Sequence, residues 1–180
     1  MALVYNGPER YEVLGNILKT NSIVEFNKGA EIGVRHAELS EYLLKLFKKM
    51  QLLLVDPYTS YDDLGYIFTE EEQNKILSQA KKRLIGYGSR ANWIRKSSVE
   101  AAKGVEDSSL DFVFIDGEHT EAACTDDIYA WYTKVRPGGI LSGHDYSMEG
   151  VSKAVKAWSE KFGKPIIFSD KNSDVWVMQI

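Results

Sequence analysis

Short apolar runs in this sequence end on polar residues that could bind a ligand or move a proton. They are Glu31 and Gly33, then Asp56, then Ser97 and Ser98, then Asp116, Gly117 and His119, and last Gly143, His144 and Asp145. Neutral imidazole is the natural base near pH 7, so His119 and His144 are candidates to accept a proton. Asp116 and Asp145 are 29 residues apart, about one helix plus one strand, so adjacent strands would carry both into one cleft.

The spacing of Glu31 and Asp56 predicts the kind of ligand. Their separation of 25 residues matches one strand-helix-strand unit, and an acid at the second position can accept hydrogen bonds from both hydroxyls of a ribose. The first turn lacks the G-x-G-x-x-G pattern and the P-loop lysine motif that hold a diphosphate. A nucleoside cofactor without a diphosphate fits better, and S-adenosylmethionine (SAM) is the common one.

Hydrophobic periodicity distributes the chain over alternating strands and helices. Strands are predicted within 22–34, 51–58, 91–97, 110–119 and 136–146, and helices within 9–22, 37–50, 69–88, 98–105, 121–135 and 150–163. The runs 165–169 and 174–180 are predicted to be paired strands joined by the turn 170–173. The pattern predicts an α/β fold, a Rossmann-like three-layer sandwich whose twisted sheet is mostly parallel, with an antiparallel C-terminal strand pair. Ligands of such sheets bind at the carboxyl ends of the strands.

The length of the chain favours a single domain over residues 1–180. Its composition, with one cysteine, favours a protein of the reducing cytoplasm. The chain has a net charge of −4 and a pI near 5.5, which argues against nucleic acid as a partner. The lone Cys124 excludes an internal disulfide. The first residues show no signal-peptide pattern, and no apolar run approaches the roughly 20 residues of a membrane span.

Five motifs together resemble a known family. "AEIGVRHAELS", "LLLVDPY", "SSVEAA", "LDFVFIDGEHT" and "VRPGGILSGHDY" resemble successive motifs of class I SAM-dependent methyltransferases. The resemblance is to a small group, the methyltransferase 24 type, with an F-I-D-G-x-H strand and a P-G-G-x-x-x-x-H-D strand. It covers roughly residues 24–158.

The resemblance implies a set of cofactor-binding residues. Gly33 would let the backbone approach the methionine part of SAM, and Glu31 would engage its amino group. Asp56 would accept from the ribose hydroxyls. The residues implied beside the adenine or the methyl group are Pro57 and Tyr58 flanking the adenine, Ser97 and Ser98 near its edge, and Asp116 beside the methyl group.

The resemblance also implies a reaction. Related enzymes that methylate sugar or catechol hydroxyls bind Mg²⁺ with acids at such strand ends, which makes Asp116 and Asp145 candidate metal ligands. A hard cation would hold the acceptor oxygen and lower its pKa, with His144 or His119 taking the proton. We therefore expect O-methylation of a small-molecule or glycan hydroxyl. The 57–90 segment, the N-terminal helix and the residues after Asp145 would recognise the acceptor.

Several alternatives stay open on the sequence alone. The family usually has glycine where Ala37 stands and often aspartate where Ser97 stands, which favours a non-catalytic SAM- or nucleoside-binding module or an accessory subunit. An NAD-linked oxidoreductase would share the sheet but lacks its glycine pattern. Asp116, His119, His144 and Asp145 each have a structural reading as capping or hydrogen-bonding residues. A homodimer is a further possibility.

Overall fold

The structure is a computed structural model that describes residues 10–20, 26–63, 66–167 and 174–180. The helices are α1 (Arg10–Thr20), α2 (Glu38–Leu46), α3 (Glu70–Leu84), α4 (Ser98–Ala102), α5 (Glu121–Trp131) and α6 (Glu149–Phe162). The strands are β1 (Lys28–Ile32), β2 (Gln51–Val55), β3 (Tyr61–Asp63), β4 (Tyr66–Phe68), β5 (Ala91–Ile94), β6 (Leu110–Ile115), β7 (Val135–Gly143) and β8 (Trp176–Gln179). Short 3-10 helices, Ile85–Arg90 and Tyr132–Lys134, follow α3 and α5.

The main sheet confirms the predicted fold class. Its strand order over the described residues is β5-β2-β1-β6-β7-β8. Strands β5, β2, β1, β6 and β7 pair in parallel, whereas β8 runs antiparallel to β7. Ile167, in the predicted penultimate strand, forms an antiparallel bridge to Val177. The turn predicted at 170–173 lies outside the described residues.

Alternating side chains of the central strands feed two hydrophobic clusters, one on each face of the sheet. On β6, Phe112 and Phe114 pack with the buried residues of α1, α2 and α3, whereas Val113 and Ile115 pack with those of α4, α5 and α6. This is the pattern expected of a parallel strand covered by helices on both faces. The result is a three-layer sandwich whose strand ends meet at one edge.

Local sequence signals explain several element boundaries. Thr69 is the N-cap of α3: its hydroxyl accepts a hydrogen bond from Glu72 N–H, and the Glu72 carboxylate accepts from Thr69 N–H at 2.8 Å. Gly163, with a φ of 63°, ends α6 in the left-handed region that glycine tolerates. These caps satisfy backbone groups that would otherwise lack partners.

The structure corrects three details of the predicted elements. Helix α2 ends at Leu46, before the predicted limit of residue 50. The strand predicted within 136–146 runs from Val135 to Gly143, and its pairing with β6 shifts register between Leu110 and Phe112. The 57–90 segment, in which only the helix within 69–88 is predicted, also contains the hairpin of β3 and β4. Within the described part of the chain, no helix is long and apolar enough to cross a membrane.

Candidate active site

The carboxyl ends of the parallel strands bring the predicted site loops side by side. Backbone hydrogen bonds continue the strand pairing into these loops: from Gly33 N–H to the Val55 carbonyl at 2.9 Å, from Asp116 N–H to the Ile32 carbonyl at 2.7 Å, and from His144 N–H to the Ile115 carbonyl at 3.1 Å. The loops after β1, β6 and β7 therefore form one continuous edge, as the sequence predicts.

Glu31 lies inside the protein at the end of β1. Its side chain is 3% exposed and accepts a hydrogen bond from the hydroxyl of Ser40 on α2. Burial raises the pKa of Glu31 to about 8, although the Ser40 hydrogen bond acts in the opposite direction. Near neutral pH this carboxyl group therefore holds a proton.

Gly33 marks the place where the first loop passes closest to the loop after β6. Its φ is +85°, and a Cβ at this position would lie 2.1 Å from the carbonyl oxygen of Asp116. Only glycine fits such a backbone-to-backbone approach. This gives the glycine of the first loop a steric requirement that is independent of any ligand.

The Asp56 carboxylate accepts several backbone hydrogen bonds that order the first loop. One oxygen accepts from the N–H groups of Val34 at 3.0 Å and Arg35 at 2.9 Å, and the other accepts from Tyr58 N–H at 2.8 Å. A carboxylate offers roughly four acceptor positions. About one therefore remains for a ribose hydroxyl, fewer than the sequence prediction of two hydroxyls requires.

The two residues predicted to flank an adenine lie in different environments. Pro57 is exposed, whereas Tyr58 is buried, with its ring against Trp93 and its hydroxyl donating to the Arg35 carbonyl at 2.8 Å. In this arrangement Tyr58 offers no open ring face to a ligand.

The two serines predicted near the adenine edge also differ. Ser97 is exposed at the N-cap of α4, where its side chain makes no capping hydrogen bond. The hydroxyl of Ser98 accepts from Trp131 Nε1 at 2.8 Å and hydrogen-bonds the buried Asp127, whose pKa burial raises to about 6. Ser98 thus links α4 to α5, and its place near the adenine edge stays a prediction.

Asp116, His119, His144 and Asp145 are brought together at the ends of β6 and β7. The two oxygens of Asp145 lie 3.1 Å from His144 Nδ1 and 3.0 Å from His119 Nε2, and Asp116 Oδ1 lies 3.9 Å from His144 Nδ1. One ligand atom each from Asp116, His144 and Asp145 falls within 4.8 Å of the others. Two carboxylates and an imidazole at this separation can coordinate a divalent cation.

Opposing effects set the protonation of this cluster. Burial acts to raise the pKa of Asp145, but hydrogen bonds with His119 and His144 outweigh it and lower the pKa. Burial acts to lower the pKa of His144, yet the hydrogen bond to Asp145 raises it overall. Burial raises the pKa of Asp116, against the nearby charges of Arg10 and His144. Of the two aspartates, Asp145 is thus the one whose ionised form is favoured.

Two tertiary neighbours of the cluster are absent from the sequence prediction. Trp176 Nε1 on β8 donates to the His144 carbonyl at 3.2 Å. The Asp174 carboxylate accepts from the N–H of Ser147 at 2.6 Å and from its hydroxyl at 2.7 Å. Both contacts fix the loop after β7 to the C-terminal segment. No local pattern in the sequence predicts them.

A third neighbour, Arg10 at the start of α1, was also not predicted as a site residue. Its Nε lies 3.0 Å from Asp116 Oδ2, without the alignment of a hydrogen bond. The contact is therefore chiefly Coulombic. Ser40, the partner of Glu31, could have been found from its place in the first turn of the helix that follows β1.

We compared the sequence with models of protein families and with curated proteins. The sequence model of a family described as a methyltransferase domain matches residues 30–146, more than half of the chain. No curated protein sequence matches.

Solved structures agree with the fold. A Staphylococcus aureus protein provisionally described as a caffeoyl-CoA O-methyltransferase is 11% identical, with a TM-score of 0.68, covering 94% of this chain and 82% of that one. The O-methyltransferase NovP is 15% identical with a TM-score of 0.61, covering 94% and 77%. A TDP-rhamnose 3'-O-methyltransferase of calicheamicin biosynthesis is 12% identical with a TM-score of 0.60, covering 93% and 78%. At such identities the similarity concerns the fold.

Proposed function

Because the chain belongs to the methyltransferase domain family, we propose that it transfers the methyl group of SAM to a hydroxyl oxygen of a small-molecule or glycan acceptor. The observation that carries the proposal is the cluster of Asp116, His144 and Asp145 beside the loop of Glu31 and Gly33. It places candidate base and metal-ligand groups next to the loop implied to hold the cofactor.

The first loop fits the amino acid end of SAM. Gly33 lets the first loop pack against the backbone of Asp116, where a side chain would collide, and so brings the end of β1 next to the acidic cluster. Glu31 is a buried carboxyl group that accepts a hydrogen bond from the Ser40 hydroxyl at one of its oxygens, and the other oxygen would receive the amino group of the cofactor. SAM supplies an electrophilic methyl group, and the protein's task is to orient the acceptor oxygen in line with it and exclude water.

The histidines are suited to take the proton of the acceptor hydroxyl. Asp145 accepts from His144 at Nδ1, which selects the tautomer whose Nε2 can receive a proton. Asp145 also bonds His119 at Nε2. We assign His144 as the base, with His119 as the second candidate and Asp145 as the group that orients both rings.

A divalent cation such as Mg²⁺ would assist the same step. Asp116 and Asp145 would be its carboxylate ligands and His144 the third nearby group, an arrangement supported by their mutual distances. A hard cation at this place would lower the pKa of a hydroxyl that binds it. His144 suits Mg²⁺ less well than oxygen ligands do, which favours its role as the base.

The cofactor is tested first, by calorimetry with SAM and S-adenosylhomocysteine. We expect binding to the wild type and, for Asp56→Ala, an affinity lower by about tenfold or more, because a charged acceptor and the loop it orders are both lost. Asp107→Ala, an exposed aspartate beside Lys134, is the matched control and should bind as the wild type does. Absence of SAM binding to the wild type would contradict the proposal.

The reaction is tested next, with labelled SAM and a panel of catechols, phenols and glycosides. We expect Asp145→Asn and His144→Gln to lower kcat by roughly 10²-fold or more while leaving SAM affinity nearly unchanged. Removal of metal by a chelator should lower turnover, and Mg²⁺ should restore it. Equal turnover by the wild type and both variants would refute the assigned roles.

A second candidate function is SAM or nucleoside binding without turnover. Three observations favour it: the Asp56 carboxylate is largely engaged by backbone N–H groups, Tyr58 is buried, and Ser97 stands exposed where aspartate is common in the family. Cofactor binding with no methylated product from any acceptor class would support this alternative over the enzyme.

A further inference from the structure

Arg10 approaches the candidate metal ligand Asp116 from a helix that is firmly packed. Helix α1 buries Val13, Leu14 and Leu18 in the core. A Cβ on Gly15 would lie 2.7 Å from the Tyr42 ring of α2, so the two helices are in close contact. The helix therefore delivers the Arg10 side chain to the sheet edge as part of the fold.

The Arg10 side chain occupies the position of a counter-charge to the acidic cluster. Its Nε lies 3.0 Å from Asp116 Oδ2, and the two side chains are 33% and 13% exposed. The positive charge acts to lower the pKa of both Asp116 and Glu31 and that of His144. An arginine remains charged at any physiological pH.

A divalent cation on Asp116 would need the same carboxylate. Mg²⁺ binds carboxylate oxygens at roughly 2.0–2.1 Å, which would place it within a few ångströms of a guanidinium held at Asp116 Oδ2. Two positive charges at such a short distance repel each other strongly in a partly buried site. Arg10 and the cation therefore oppose one another at Asp116.

We propose that Arg10 is a built-in competitor of the divalent cation, so that the ion pair of Arg10 with Asp116 sets the metal affinity of the site. While Arg10 is paired with Asp116, its positive charge offsets the negative charge of the cluster in the absence of a metal ion. A cation bound to Asp116 weakens the ion pair of the guanidinium with the same carboxylate, and each event disfavours the other by the same factor. The inference rests on the metal site of the proposed function, not on the identity of the acceptor.

The test is a calorimetric titration of the folded proteins with Mn²⁺ alone, at one fixed pH and without SAM. We expect Arg10→Gln to bind Mn²⁺ at least about tenfold more tightly than the wild type, because the repulsion is removed. Arg10→Lys keeps a charge on a shorter side chain and should fall between the two. Lys19→Gln removes a charge from the last turn of the same helix and should leave the affinity unchanged.

Each outcome decides the proposal. The order Arg10→Gln tighter than Arg10→Lys, with the wild type weakest, supports it. Arg10→Gln binding as weakly as the wild type, or more weakly, overturns it, as does the absence of Mn²⁺ binding to every protein tested. Should Arg10→Gln not fold, the comparison of Arg10→Lys with the wild type decides alone, equal affinities overturning the proposal.

The test also separates this inference from the proposed function. SAM binding with no effect of Arg10 on Mn²⁺ affinity would remove the inference and leave the methyltransferase proposal standing. An effect of Arg10 on Mn²⁺ affinity in a protein that binds no SAM would do the reverse.

Discussion

Glu31 and Asp145 are carboxyl groups of the same sheet edge whose environments shift their pKa values in opposite directions. Burial dominates at Glu31 and raises its pKa. At Asp145 the hydrogen bonds with two histidines outweigh burial and lower the pKa. Titratable groups with opposite shifts in one cleft are typical of sites that move protons.

The Glu31 shift predicts a pH-dependent stability. Its pKa is about 8 in the folded protein against an ordinary 4.5, so between these values the folded protein holds a proton that the unfolded chain releases. Raising the pH through this window therefore lowers the free energy of unfolding. Relative to the wild type, Glu31→Gln should gain about 2–4 kcal/mol between about pH 5 and about pH 8.

Urea denaturation at the two pH values measures this gain. Glu38→Gln, on the exposed side of α2, serves as the control for replacing a surface glutamate by glutamine. A Glu31→Gln effect of the same size at both pH values would contradict the assigned protonation. The same variant should also bind SAM more weakly, since its amide cannot lose a proton to become a carboxylate when the cationic amino group of SAM binds.

Substitutions of Gly33 and Gly138 can distinguish the cost of backbone strain from the cost of steric collision. Both have positive φ, +85° and +80°, but a Cβ on Gly33 would collide with the Asp116 backbone, whereas a Cβ on Gly138 meets nothing within 4 Å. Gly33→Ala should destabilise the protein by at least about 3 kcal/mol and Gly138→Ala by about 1 kcal/mol. Thermal denaturation of both variants measures the difference, and similar losses would show that conformation alone is responsible.

At the scale of elements, Asp111 joins the starts of β1, β6 and β7. One oxygen of its carboxylate accepts from the N–H groups of Asn27 at 2.6 Å and Lys28 at 2.7 Å, and the other accepts from Arg136 Nε at 2.6 Å. The strands that carry the site are therefore fixed at their opposite ends. Their alignment there determines which residues meet at the carboxyl edge.

Loss of the Asp111 carboxylate should destabilise the sheet. We expect Asp111→Ala to lower the free energy of unfolding by about 2–4 kcal/mol, because three donors lose their partner and one is a charged arginine. Asp107→Ala removes an exposed aspartate from Lys134 at the same end of the molecule and should cause no comparable loss. Urea denaturation of both variants tests the contrast, which equal effects would contradict.

At the scale of the whole molecule, helices cover both faces of a shared sheet, and the two hydrophobic clusters are built on the same strands. Strands common to both clusters should make unfolding cooperative. We predict one thermal transition for the whole chain, in keeping with the single domain expected from its length.

Ligand binding should displace that transition. SAM at roughly 100 times its Kd should stabilise the folded state by about 2.7 kcal/mol, which corresponds to about 5–10 °C for a domain of this size. Differential scanning calorimetry with SAM measures the shift, and NADH serves as the control that should cause none. A shift with NADH but not with SAM would favour an oxidoreductase.

The sequence by itself determined the order of the helices and of the strands of the main sheet, and the polar residues at the ends of those strands; it missed the β3–β4 hairpin. Those features depend on periodicity and capping within short windows, as at Thr69 and in the apolar run before Asp116. Once the strands are known to be parallel, their ends must share an edge. The grouping of Asp116, His144 and Asp145 was therefore predictable.

Only the tertiary structure decided what each of these residues contacts. Arg10 contacts Asp116 although more than 100 residues of chain separate them. Asp174, which follows α6 in the sequence, hydrogen-bonds Ser147, which precedes it. Tyr58 turned out to be buried, although the motif around it implied a ligand surface. Such contacts depend on how helices dock on the sheet, which is set by side-chain packing between distant segments, and local periodicity carries no information about that docking.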